Sequence, residues 1–146
     1  MISFKKIYSV GLAIVLLSSF VSFPNFVQPA YSQTTPPNFK VAFIGDQDYQ
    51  ASSVAVLALI QSEGADMVLH QGDFDYNDDP EAWDAQINAT LGHDFPYFAS
   101  IGNHDVIAWD GYKQKLQERL DKIEGAECTG DLGVKSSCHY NGLFFI

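Results

Sequence analysis

Residues 65–80 read ADMVLHQGDFDYNDDP. The front of the stretch, ADMVLH (65–70), is a short apolar run of the kind that fills a buried strand. Gly72 lets the chain turn sharply out of a sheet, and Asp73, Asp75, Asp78 and Asp79 then crowd together with Tyr76 among them. At the back, Asp79 as N-cap and Pro80 at the first helical position open a helix. So much negative charge at the mouth of a strand repels itself unless something positive sits there.

The same order of strand, glycine, polar tip and helix occurs on either side. FKVAFIG (39–45) predicts a buried strand whose tip is GDQD (45–48). A helix follows, capped by Ser52 or Ser53, with Val54, Leu57 and Ala58 on one face and Gly64 at its end. After Pro80, Trp83, Ile87 and Leu91 recur every four residues until Gly92. FPYFASI (95–101) predicts a third strand with the tip GNHD (102–105). In the next helix Trp109, Tyr112, Leu116, Leu120 and Ile123 make one apolar stripe opposite Lys113, Lys115 and Glu118. The closing run CHYNGLFFI (138–146) is expected to form a fourth strand. This βαβαβ order implies an α/β fold with a mostly parallel sheet, and in such sheets ligands bind beyond the carboxyl ends of the strands. All three tips then converge on one edge.

The whole chain bounds what can be built there. Its 146 residues, 47% of them hydrophobic, bury one core and not two. A formal net charge of −10 argues against a nucleic-acid partner, and an anionic substrate would need cations from elsewhere. Residues 1–32 carry the pattern of an export signal: Lys5 and Lys6, an apolar run from Ile7 to Val21, and Ala30-Tyr31-Ser32 around a cut before Gln33. The mature chain is therefore expected to be secreted or periplasmic, with no membrane span after cleavage. QTTPPN (33–38) has linker chemistry, so the domain runs from 39 to 146. In an oxidising compartment Cys128 and Cys138, around the polar loop TGDLGVKSS, are expected to form a disulfide.

Asp46, Asp73 and Asn103 bring short-stemmed oxygen donors to the three tips, a set suited to hard or borderline cations. A metal pair answers the crowded charge, with Asp73, on the middle tip, as the carboxylate that bridges the two ions.

In the order GD, GDFDY, GNHD these motifs resemble the calcineurin-like metallophosphoesterases, a sandwich of β-sheets flanked by helices, and within them the purple acid phosphatase branch. The resemblance covers the chain from Phe39 onward. It implies metal-dependent hydrolysis of a small phosphorylated substrate at two ions, Fe(III) plus zinc, iron or manganese. Asp46, Asp73, Tyr76 and Asn103 would be the metal ligands, with Tyr76 a phenolate on ferric iron. His104 would contact the phosphate and Asp105 would orient His104. The superfamily's histidine two residues after the first aspartate is replaced here by Asp48, and its loss together with the gain of Tyr76 is the swap expected of the iron-containing branch.

Asp48 itself departs from that branch, which usually has glycine there. It is open to reading as an extra acceptor, a weak ligand or a solvated loop acid, the last being favoured. Asp75, Asp78 and Asp79 read as turn and capping residues, His70 as a core or rim histidine, and His93 and His139 have no supporting context. The family completes its metal shells with histidines from later motifs that do not follow His139. The sequence thus reads as the first βαβαβ half of the catalytic domain, inactive as it stands. A truncated, non-catalytic secreted remnant is the alternative from another class, and a phosphodiesterase or nucleotidase the alternative within it.

Overall fold

The computed structural model describes residues 34–146; residues 1–32, where an export signal is expected, and Gln33 lie outside the described residues. The chain runs β1 (Val41–Ile44), α1 (Ala51–Ser62), β2 (Met67–His70), α2 (Pro80–Thr90), β3 (Tyr97–Ala99), α3 (Trp109–Leu120), β4 (Glu127–Asp131), β5 (Lys135–Tyr140) and β6 (Leu143–Phe145). β1, β2 and β3 form a parallel sheet in that order, with Ile44 opposite His70 and His70 opposite Ala99. The α/β expectation with a parallel βαβαβ unit holds, and the three strands end on one edge. No helix among the described residues is long and apolar enough to cross a membrane.

Residues 127–145 depart from the expected single closing strand. β4, β5 and β6 form a separate antiparallel sheet, in which CHYNGLFFI turns back on itself at Asn141 and Gly142. Both residues have positive φ, 45° and 77°, the backbone of a tight hairpin whose twist matches its strands. Cys128 and Cys138 stand directly opposite in the β4–β5 register and are joined by the expected disulfide.

The helices follow their local chemistry, with one correction. The side chain of Asp79 accepts from the Ala82 amide at 3.0 Å, and Pro80 fills the first turn of α2. In α1, however, Gln50 occupies the cap without a side-chain bond. Ser53 lies inside the helix, bonded to the Gln50 carbonyl at 2.7 Å. The buried face is Ser53, Leu57 and Ile60, while Val54 and Ala58 are exposed. The sequence ASSVAVLALIQS is small or apolar on nearly every side, so its pattern selects no face.

The core is aromatic where it supports the tips. Phe74, although part of the GDFDY tip, is fully buried and stacks on Trp83 at 4.6 Å, with the Tyr112 ring edge-on at 5.1 Å. Burying a side chain of this size stabilises by about 3 kcal/mol, enough to pin the tip to the core. Arg119, also buried, ties α3 to α2 through Asp84 at 2.7 Å, Asn88 at 2.6 Å and the Gly92 carbonyl at 2.9 Å.

Candidate metal centre

The first two tips continue the sheet beyond its strands. The amides of Asp46, Gln47 and Asp48 donate to the carbonyls of Gly72, Asp73 and Phe74 at 3.1, 2.9 and 3.0 Å. The third tip is tied in by Asp105, a buried carboxylate. Its Oδ1 accepts from the Phe74 amide at 2.8 Å, and its Oδ2 from the amides of Asp73 at 2.9 Å and Gly102 at 2.7 Å. The bonds of Asp105 thus go to backbone amides rather than to the His104 imidazole. It holds the loop that carries His104, and not the ring.

On this frame the residues read from the sequence converge in part. The Tyr76 hydroxyl donates to the Asp46 carboxylate, joining the second tip to the first. Asp73 Oδ1 accepts from the His104 amide at 3.0 Å, joining the second to the third. The His104 ring is exposed and lies 4.8 Å from the Tyr76 ring. Asn103 is exposed at the third tip. Asp46, Asp73 and Tyr76 have φ of 52°, 62° and 61°. Such left-handed backbone is uncommon outside glycine, and for a residue as bulky as tyrosine it is a true outlier of the kind that gathers at functional sites.

The electrostatics follow from the crowding. The bond to Asp46, then partial desolvation, then the charges of Asp46, Asp73 and Asp105 push the Tyr76 hydroxyl up to about 12. Burial holds His70 down at about 4, against the pull of Asp46 and Asp73. Its Nδ1 accepts from the Gly72 amide at 3.1 Å and its ring lies against Phe74 and Tyr97, which makes it a core histidine under the tips.

Several other residues are occupied elsewhere. Asp48 turns its oxygens to the Tyr49 amide and to Gln50 Nε2 at 2.8 Å. Asp79 caps α2. His93 is exposed on the loop before β3, and His139 lies in β5 against Phe144.

Among the described residues no three His, Cys, Asp or Glu side chains gather closely enough to hold an ion. The candidate quartet has only two such residues, Asp46 and Asp73; its other donors are a phenol and a carboxamide. All four offer oxygen, which fits a hard cation in kind.

Three residues support the site in ways not read from the sequence, which places Tyr112 only in the apolar stripe of its helix and gives Gln47 and Tyr49 no role. Gln47 is buried behind Asp46, accepting from the Tyr97 hydroxyl at 2.6 Å and donating to Gln86 at 2.7 Å. Tyr49 and Tyr112 both donate to Asp75 at 2.5 Å. Burial first, and then that bond, raises both phenols above their ordinary range. Burial alone would raise Asp75, but the bonds from Tyr112, Tyr49 and the Asn77 and Asp79 amides outweigh it and hold its carboxyl below the usual range.

No curated protein and no solved structure matches the chain. The family model for calcineurin-like phosphoesterases matches residues 39–144, which takes in all three tips, the parallel sheet and the antiparallel sheet up to Phe144. On that match the chain belongs to the calcineurin-like phosphoesterases, a family of metal-dependent phosphoester hydrolases that usually hold two metal ions.

Proposed function

We propose that this chain carries the front of a phosphatase site of the purple acid phosphatase type, acting on a small phosphate ester. Tyr76 would hold ferric iron together with Asp46, Asn103 would hold a divalent zinc, iron or manganese, and Asp73 would bridge them. The observation that carries the reading is the Tyr76 hydroxyl meeting the Asp46 carboxylate across two tips, from a backbone at φ 61°. A tyrosine that merely covered a rim would not need so costly a backbone.

When bound, the ions supply Lewis-acid polarisation of the phosphoryl group and a nucleophile at neutral pH. The chain's own part is to position and to stabilise charge. His104, exposed beside Tyr76, offers an N–H to the phosphoryl oxygens and, when protonated, gives its proton to the departing alkoxide. Asp105 keeps the loop of His104 against Asp73 through the three amides it accepts. The quartet contains no imidazole, so the described residues alone are expected to hold metal without turning over an ester. The disulfide supports an oxidising location for the mature chain, secreted or periplasmic.

Ferric iron added to the full chain should give a visible absorption band from phenolate-to-iron charge transfer, and Tyr76→Phe should abolish it. Iron bound without a visible band would remove Tyr76 from the ligands and leave the family assignment untouched.

A further inference from the structure

Asp75 has almost no exposed surface, 1%, in a loop whose next four residues are all exposed. It accepts four hydrogen bonds: from the Tyr49 and Tyr112 hydroxyls, both at 2.5 Å, and from the amides of Asn77 at 2.8 Å and Asp79 at 3.1 Å. The two phenols arrive from different directions. Tyr49 ends the tip that begins with Asp46, and Tyr112 belongs to α3, the helix that follows Asn103 and His104. One buried side chain therefore joins the first tip, the second tip and the helix that follows the third.

Packing alone does not require these bonds. The Tyr112 ring lies against Phe74 and Trp83 and would do so equally as phenylalanine. What its hydroxyl adds is a hold on Asp75. On either side of that hold the backbone is unusual, since Asp73, Tyr76 and Asp78 have φ of 62°, 61° and 56°. Conformations of this kind persist only where their surroundings over-determine them. Asp75 points inward and is fixed from both sides, while Tyr76, the next residue, points outward to Asp46.

We propose that Asp75, clamped by Tyr49 and Tyr112, is a positioning residue that sets the first and second tips in metal-binding geometry before any ion arrives. The proposal rests on the reading of Asp46, Asp73, Tyr76 and Asn103 as metal ligands. Asp75 touches no ion; it acts through the backbone of Tyr76 and through the tip of Asp46.

The variant Tyr49→Phe/Tyr112→Phe removes both donors and keeps both rings, and two measurements on the full chain read the result. In metal-free amide hydrogen exchange, Gln47 and Asp48, which bond to Asp73 and Phe74 and to neither phenol, should exchange about tenfold faster while β5 keeps its rates. In calorimetric titration with Mn2+, the Kd should rise about tenfold or more, the usual effect of losing a group that orients a ligand. Ile87→Val, which loosens the same core without touching the tips, should leave that Kd unchanged. Tyr112→Phe alone is read the same way should the double variant not fold. Unchanged exchange at Gln47 and Asp48 overturns the clamp, and so does an affinity loss no larger than that of Ile87→Val. An unmodified chain that takes up no Mn2+ overturns the ligand reading of the quartet, and the exchange rates then decide the clamp by themselves.

Discussion

Gly72 and Gly102 stand back to back where the second and third tips cross. A Cβ on Gly72 would fall 2.5 Å from the Gly102 Cα and 2.9 Å from the Ile101 carbonyl carbon. One on Gly102 would fall 2.9 Å from the Asp73 Cγ, and nearer still to the Asp73 amide nitrogen and Oδ1. This approach is what lets the single carboxylate of Asp105 reach amides on both tips. The glycines that open GDFDY and GNHD therefore do different work from a glycine that merely ends a helix.

The first prediction follows from that difference. Gly102→Ala must either part the tips or push Asp73 aside, and should cost about 3 kcal/mol in denaturant unfolding. Gly72→Ala, at φ 92°, adds backbone strain to the same collision and should cost at least as much. Gly64→Ala at φ 63° has nothing within 4 Å of the added carbon and should cost only about 1 kcal/mol. Equal losses at Gly64 and Gly102 would falsify the close approach.

How much of this is legible in the sequence depends on where the information resides. The parallel sheet is written three times over, as an apolar run, a glycine and a polar tip, and the strands fall within the predicted runs. The hairpin at Asn141 and Gly142 also has a strong local signal, but apolar residues on both sides make 138–146 look like one strand. α1 hides its buried face because almost any face would serve. At the site, the tip residues stand out by type and spacing, whereas the clamp on Asp75 does not. Tyr112 falls in an apolar stripe and is placed there correctly by its ring, and nothing in the spacing says that its hydroxyl leaves the core for an acid on another loop. Arg119 is hidden in the same way, a cation one position from Leu120 whose partners, Asp84 and Asn88, belong to another helix. Asp105 shows the complementary limit: its neighbour His104 suggests a pair, but its bonds go to amides that no sequence pattern displays.

The second prediction concerns pH. His70 is held at about 4 in the folded chain by burial, while an unfolded histidine titrates near its ordinary value of about 6.5. The unfolded state takes up the proton first as pH falls, so this contribution is intact above about 6.5, shrinks steadily below it and levels off near 4. The loss across that window amounts to about 3 kcal/mol. The carboxyl of Asp75 is depressed, so its own contribution is lost only at lower pH, as the folded group protonates. His70→Gln can still accept from the Gly72 amide but does not titrate. Its urea midpoint should therefore fall much less between pH 7 and pH 4 than that of the unmodified chain. Parallel falls would mean that the imidazole is not kept neutral by burial.

The third prediction separates a ligand from a loop acid. Asp48 and Asp73 share the same left-handed backbone, both at φ 62°, and asparagine tolerates that region nearly as well as aspartate. Each can therefore be changed to asparagine with the turn intact, and the difference between the two variants isolates the charge. The oxygens of Asp48 serve the Tyr49 amide and Gln50 within its own turn. Asp48→Asn should leave the affinity for Mn2+ within about threefold, since only a distant charge is lost from near the site. Asp73 touches the third tip through the His104 amide, a bond that the carboxamide oxygen of asparagine can keep. As the carboxylate proposed to be shared by both ions, however, it supplies charge that a carboxamide cannot, and Asp73→Asn should weaken binding by about 100-fold or more. Thermal unfolding of the metal-free variants checks that both remain folded. Comparable losses of affinity in the two variants would put Asp48 among the ligands, and the bridging role would then have to be divided between the first tip and the second.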